Sequence, residues 1–124
     1  MTEQLISFEV AKLAKEAGFD WECLDHYEGS ELRFPYYDYG NPWGNYNNFI
    51  PGSYSAPTQS LLAKWLRDVH NTHIKISCNL GDWYFEILGH FNTNRYSEVE
   101  YLTYEAALEE GLKEGLRGLL SRGN

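Results

Sequence analysis

His70 and His73, three residues apart with Cys78 close behind, are the side chains here that could suggest a metal. Zinc needs nitrogen and thiolate donors in a tetrahedron, and sequences that supply them carry spacings such as CxxC or HExxH. Neither pattern occurs. The two histidines straddle the end of a helical pattern, and a histidine near a helix C-terminus is already suited by the negative end of the macrodipole. Adding the distant His26, His90 and Cys23 supplies no ligand spacing, so neither metal nor cofactor is expected. Nucleophilic chemistry finds no better footing. There is no GxSxG elbow, and Cys78 alternates with Ile74 and Ile76, which assigns it to an apolar strand face. Gly111, Gly115 and Gly118 lie inside a helical pattern and cannot form a phosphate cradle. Asp20, Glu22 and Asp25 straddle a strand, while Glu105, Glu109 and Glu110 map to the outer side of the last helix. Both sets read as solvated faces rather than acid–base pairs. No residue set points to an enzyme.

What remains is a segment of unusual composition. Residues 35–52 hold three Pro, three Gly and four Asn around Tyr36, Tyr37, Tyr39, Trp43, Tyr46 and Phe49. Loops of this length are functional or disordered, and disordered segments are poor in aromatics. The segment therefore reads as an ordered loop packed by its own side chains. Tyr and Trp offer large contact area at low entropic cost, so the six aromatics are the candidate binding residues; the alternative is a lid over a sheet.

Charge limits the partners. The net charge is −8. Residues 1–56 carry nine acids and three bases, residues 57–95 three and four, and residues 96–124 six and three. A phosphate backbone would be repelled by most of this surface, so nucleic acid is not an expected partner. Lys64, Arg67 and Lys75, on a helix feeding a hairpin, are too few to make a winged helix persuasive. No secretory segment and no long apolar run are visible, so a cytoplasmic protein without membrane contact is expected, with both cysteines free and buried.

The elements that must position these residues centre on Tyr54 to Ile76. Pro57 suits a first helical turn, and Ser55 or Thr58 can cap it. Leu61, Leu62, Trp65, Leu66 and Val69 form one apolar stripe, and Asn71 is a left-handed stop. The rhythm then changes to two, with Ile74, Ile76 and Cys78 on one face. Asn79-Leu80-Gly81-Asp82 is a turn, and Trp83, Phe85 and Ile87 alternate against Tyr84, Glu86 and Leu88 in a second strand. Upstream, Ser7 caps a helix that Gly18 stops, and residues 21–27 and 31–37 read as a hairpin. Downstream, Asn92-Thr93-Asn94 turns the chain, and Val99 and Tyr101 suggest a short strand. Thr103 caps a last helix with Leu108, Leu112, Leu116 and Leu119 along one face. Gly111 and Gly115, four apart, either permit close approach of a neighbour or are tolerated in a fraying end.

The run YSAPTQSLLAKWLRDVHNTHIKI, the strand WYFEI, the closing TYEAALEEGLKEGL and the opening ISFEVAKLAKEAGFD together resemble a family of small proteins encoded by gut Bacteroidales phages and prophages. The resemblance covers most of the chain, and relatives are expected to differ in the loop from about Tyr36 to Phe49. It carries no catalytic residue over; it implies a phage or prophage product acting inside a bacterial cell.

The sequence thus predicts a single α+β domain over residues 1–124, an antiparallel sheet covered on one face by three helices. The expected function is that of a small acidic, non-enzymatic module binding a host or phage protein, or a second copy of itself, through the aromatic loop. The alternative is a small-molecule or nucleotide site in which a ligand stacks on Trp43 or a neighbouring Tyr.

Overall fold

The computed structural model describes residues 4–33, 47, 52–89 and 94–121. The fold is α+β, and among the described residues it has three helices and two small antiparallel sheets. In chain order the elements are α1 (Phe8–Glu16), β1 (Asp25–Glu28), β2 (Glu31–Arg33), β3 (Ser53–Ala56), α2 (Gln59–His70), β4 (His73–Asn79), β5 (Asp82–Leu88), β6 (Asn94–Tyr96) and α3 (Tyr104–Ser121). The strands divide as β2-β1-β3 and β4-β5-β6, where the hydrophobic rhythm suggested one sheet.

Local signals account for the helix ends. The Ser7 hydroxyl accepts the Val10 amide at 3.3 Å and opens α1. Gly18, at φ 93°, closes it: the Gly18 and Phe19 amides donate to the carbonyls of Lys15 and Ala14, satisfying two orphan acceptors. Phe19 is thereby folded into the core. Thr58 caps α2 by accepting the Leu61 amide at 3.1 Å, and Asn71 ends it at φ 52°. Pro57 stands just ahead of this cap rather than inside the first turn. Ser55 is not a cap but a buried residue of β3. That strand, Ser-Tyr-Ser-Ala, has no apolar stripe, and only its pairing with β1 makes it extended.

The core is built where the helices meet. Val10, Ala11 and Ala14 of α1, Leu62, Trp65 and Leu66 of α2, and Leu108, Leu112, Leu116 and Leu119 of α3 form one buried cluster with Ile6 and Phe19. Each large apolar side chain buried this way contributes roughly 1.5–3 kcal/mol. Val69 lies on the same helical stripe yet is exposed, because the ring of His70 takes the place against Trp65, centroids 4.6 Å apart.

The second sheet lies on α3 through close backbone approach. A Cβ on Gly111 would sit 2.7 Å from Ile74 Cγ2 and 3.2 Å from Phe85 Cβ, and one on Gly115 would meet Ile74 Cδ1 at 3.1 Å. Close approach, not fraying, is the role of this pair. The register Ile74↔Ile87, Ile76↔Phe85 and Cys78↔Trp83 puts one set of side chains towards α3. The third strand lies earlier than expected: β6 is Asn94–Tyr96, Val99 is exposed, and Tyr101 contributes only an isolated bridge to Trp83. Asn94 therefore belongs to a strand rather than a turn.

The first sheet is fastened to α1 by aromatics. Phe8 meets Tyr27 and Tyr54 edge-on at 5.5 and 5.4 Å, and the Tyr27 hydroxyl donates to the Ile6 carbonyl at 2.7 Å. Lys15 donates to the Ser53 carbonyl at 2.8 Å and lies over the Tyr54 ring. Among the described residues the β1–β2 pairing runs from His26↔Arg33 to Glu28↔Glu31, and β1 begins at Asp25 rather than at residue 21. Residues 34–37 of that expectation lie outside the described residues.

Candidate functional site

Tyr36, Tyr37, Tyr39, Trp43, Tyr46 and Phe49, the aromatics singled out by composition, lie outside the described residues. Between Tyr36 and Phe49 only Asn47 is described. Its Oδ1 accepts the Ser55 amide at 2.8 Å and its Nδ2 donates to the Phe19 carbonyl at 2.9 Å, so it bridges β3 to the end of α1.

The polar residues weighed for chemistry are dispersed. Among the described residues no three His, Cys, Asp or Glu side chains gather into a metal set. The His70 ring is packed on Trp65, and burial lowers its pKa below 6.5. Cys78, expected to be buried, is exposed, because it lies on an outer strand beside the hairpin turn. Cys23 is buried, its Sγ donating to the Asp25 carbonyl at 3.3 Å, and burial pushes its thiol up to about 11. Glu109 does not lie on an outer solvated face: its two oxygens accept from Ser7 N and Gln59 Nε2. Lys64 is committed to Asp68 at 2.6 Å.

Two clefts remain. One, of about 400 Å³, runs between Leu5, Cys23, Asp25, Pro57, Leu61 and Lys64. Its apolar walls desolvate Asp25, raising that carboxyl's pKa. No aromatic side chain lines it among the described residues, so it offers a base nothing to stack on. The other, of about 480 Å³, lies between Arg95, Tyr101, Glu110 and Glu114. Arg95 is paired with Glu114 at 3.2 Å, and burial together with the two glutamates raises the Tyr101 phenol.

The surface feature with no structural reason is the tip of the β4–β5 hairpin. Leu80 and Gly81 form its two-residue loop, with φ of 53° and 93°. Positive φ at both central positions defines the type I′ turn that matches strand twist, and Asn, Asp or Gly are the residues that adopt it cheaply. Here a leucine takes the first position and is 99% exposed. The Trp83–Tyr101 bridge, with N–O distances of 2.8 and 2.7 Å, brings the segment ahead of α3 to the same end of the sheet. Leu102, 86% exposed, follows Tyr101 directly, and Tyr104 meets the Trp83 ring edge-on at 5.6 Å. Asp82, Glu100 and Glu105 flank these apolar residues in sequence. The signal was present in the sequence as Leu-Gly where Asn-Gly is usual, but alternation alone does not distinguish a turn leucine from a strand leucine.

No family model, no curated protein and no solved structure matches this chain. Among the described residues no helix is long and apolar enough to cross a membrane.

Proposed function

We propose that this protein is a small acidic, non-enzymatic interaction module of phage or prophage type, acting in the bacterial cytoplasm on a host or phage protein. The observation that carries the reading is Leu80. A fully exposed leucine at positive φ costs stability twice, through its backbone and through its wetted side chain, and an asparagine would avoid both. Residues kept at such cost serve contacts made outside the monomer. Leu102 and Tyr104 extend the apolar surface, and the surrounding carboxylates would select a partner with basic residues at its rim. The aromatic residues Tyr36, Tyr37, Tyr39, Trp43, Tyr46 and Phe49 would supply a second contact region of the same protein-binding character. The charge of −8 disfavours nucleic acid as the partner.

The test compares partners retained from host lysate by the wild type, by Leu80→Asn/Leu102→Ser and by Trp43→Ala/Tyr46→Ala. Loss of a specific partner in the first variant, with unchanged circular dichroism and an equal or higher Tm, is expected. Identical partner sets for all three proteins would sink the proposal.

A further inference from the structure

Among the described residues, β4 has a neighbouring strand on one side only. Asn79 and Asp82 flank a two-residue loop and so form the hydrogen-bonded closing pair of the hairpin. Alternation then makes Ser77/Tyr84, Lys75/Glu86 and His73/Leu88 the other bonded pairs. The main-chain groups of Ile74, Ile76 and Cys78 must therefore point away from β5. The far side of β5 agrees with this phase: Trp83 exchanges bonds with Tyr101, and Phe85 O accepts from Ser97 N, both away from β4. Beyond that edge there is no further strand in the order β4-β5-β6, and the amides and carbonyls of Ile74, Ile76 and Cys78 have no main-chain partner among the described residues.

The side chains tell the same story. Phe85 and Ile87 are each 5% exposed, yet Ile76 and Ile74, their direct partners on the same face, are only half-buried. The difference matches the lack of a neighbouring strand beyond β4 among the described residues. A seven-residue strand with unpaired main-chain groups is a template for pairing, and Lys75 is the one charged residue on it that opposes this.

We infer that β4 pairs antiparallel with β4 of a second copy about a two-fold axis at Ile76, fusing two three-stranded sheets into one. Three observations select this occupant and this register. First, only an axis at Ile76 uses all three outward-pointing residues at once: Ile76 faces Ile76, and Ile74 faces Cys78 of the other copy, giving about six main-chain hydrogen bonds. Second, an axis at Lys75 would set like charges opposite each other, whereas the Ile76 axis places Lys75 opposite Ser77 and His73 opposite Asn79. Third, His73–Asn79 contains no acid in a chain of net charge −8, so pairing along it brings no carboxylates together and leaves the two Lys75 side chains diagonal rather than directly opposed. The pairing would bury the half-exposed isoleucines and extend the apolar layer across the axis, an isologous contact that closes and does not propagate.

Sedimentation velocity and non-reducing gels test this. The wild type is expected at about twice its 14.4 kDa mass at high concentration, and Ile76→Pro, which removes an outward amide but no β4–β5 bond, at the monomer mass. Bonded antiparallel partners have Cα atoms about 5.5 Å apart, within disulfide reach. Ile76→Cys should therefore cross-link on oxidation even in a Cys78→Ser background. Ile74→Cys should cross-link through native Cys78 and lose that link with Cys78→Ser. His73→Cys should not cross-link. A wild type that stays monomeric at every concentration, or a dimer that links through His73→Cys but not Ile76→Cys, overturns the inference; the cysteine variants decide the matter even if Ile76→Pro does not fold.

Discussion

Glu109 Oε2 accepts the amide of Ser7 at 2.8 Å across 102 residues of sequence, while its Oε1 accepts Gln59 Nε2 at 3.0 Å. One carboxylate of α3 thus satisfies the N-cap of α1, at the positive end of that helix, and a buried amide at the start of α2. In a capping box the acid comes from the helix being capped; here another helix supplies it. Charge-assisted bonds of this kind are worth about 1.5–3 kcal/mol each, so Glu109→Ala should lower unfolding free energy by roughly 2 kcal/mol. Glu98→Ala, on an exposed segment, should change it by less than about 0.5 kcal/mol. Urea denaturation of the two variants measures the contrast, and equal effects would remove the special role of Glu109.

Gly111 and Gly118 should respond to alanine with opposite signs. A Cβ at Gly111 would overlap Ile74 and the Phe85 backbone-proximal atoms, so despite a helix-propensity gain near 1 kcal/mol the variant should lose about 1–3 kcal/mol. At Gly118 the new carbon meets only the mobile end of Arg95 at 3.3 Å, and Gly118→Ala should gain up to about 1 kcal/mol. Thermal unfolding reads both.

The two thiols should separate cleanly. Cys78 is exposed and should react with a disulfide reagent in the native protein; Cys23, buried and with its thiol pushed up to about 11, should react only on unfolding. Cys78→Ser should abolish the fast phase and leave the slow one. A fast phase surviving in that variant would contradict the burial of Cys23.

Acid should destabilise the fold through His70. Its folded-state pKa lies below 6.5 because burial penalises the imidazolium. Between the folded and unfolded values the unfolded chain binds more protons, so stability falls as pH drops through about 6.5 and levels off below the folded value. His70→Gln should flatten that part of the profile of unfolding free energy against pH. An unchanged slope would mean that the ring binds protons alike in the folded and unfolded chains.

Much of this fold was legible in local chemistry. Ser7, Thr58 and Thr103 cap the three helices, Asn71 stops α2 in the left-handed region, and Leu108, Leu112, Leu116 and Leu119 form the buried stripe of α3. These features are encoded within a turn or two of chain, where residue type and spacing suffice. The exchange of a 3.6-residue rhythm for a two-residue one at Asn71 likewise falls where α2 gives way to β4.

The rest depended on neighbours distant in sequence. Ser53–Ala56 has no strand signature and is extended because β1 lies beside it. Glu109 reads as a solvated acid until α1 delivers Ser7 to it. Cys78 reads as a core residue until β4 proves to be an edge, and Leu80 reads as one more apolar residue until the turn leaves it in water. Periodicity reports which residues share a face. Only the tertiary structure decides whether that face is covered, because burial is a property of what packs against a segment and not of the segment itself.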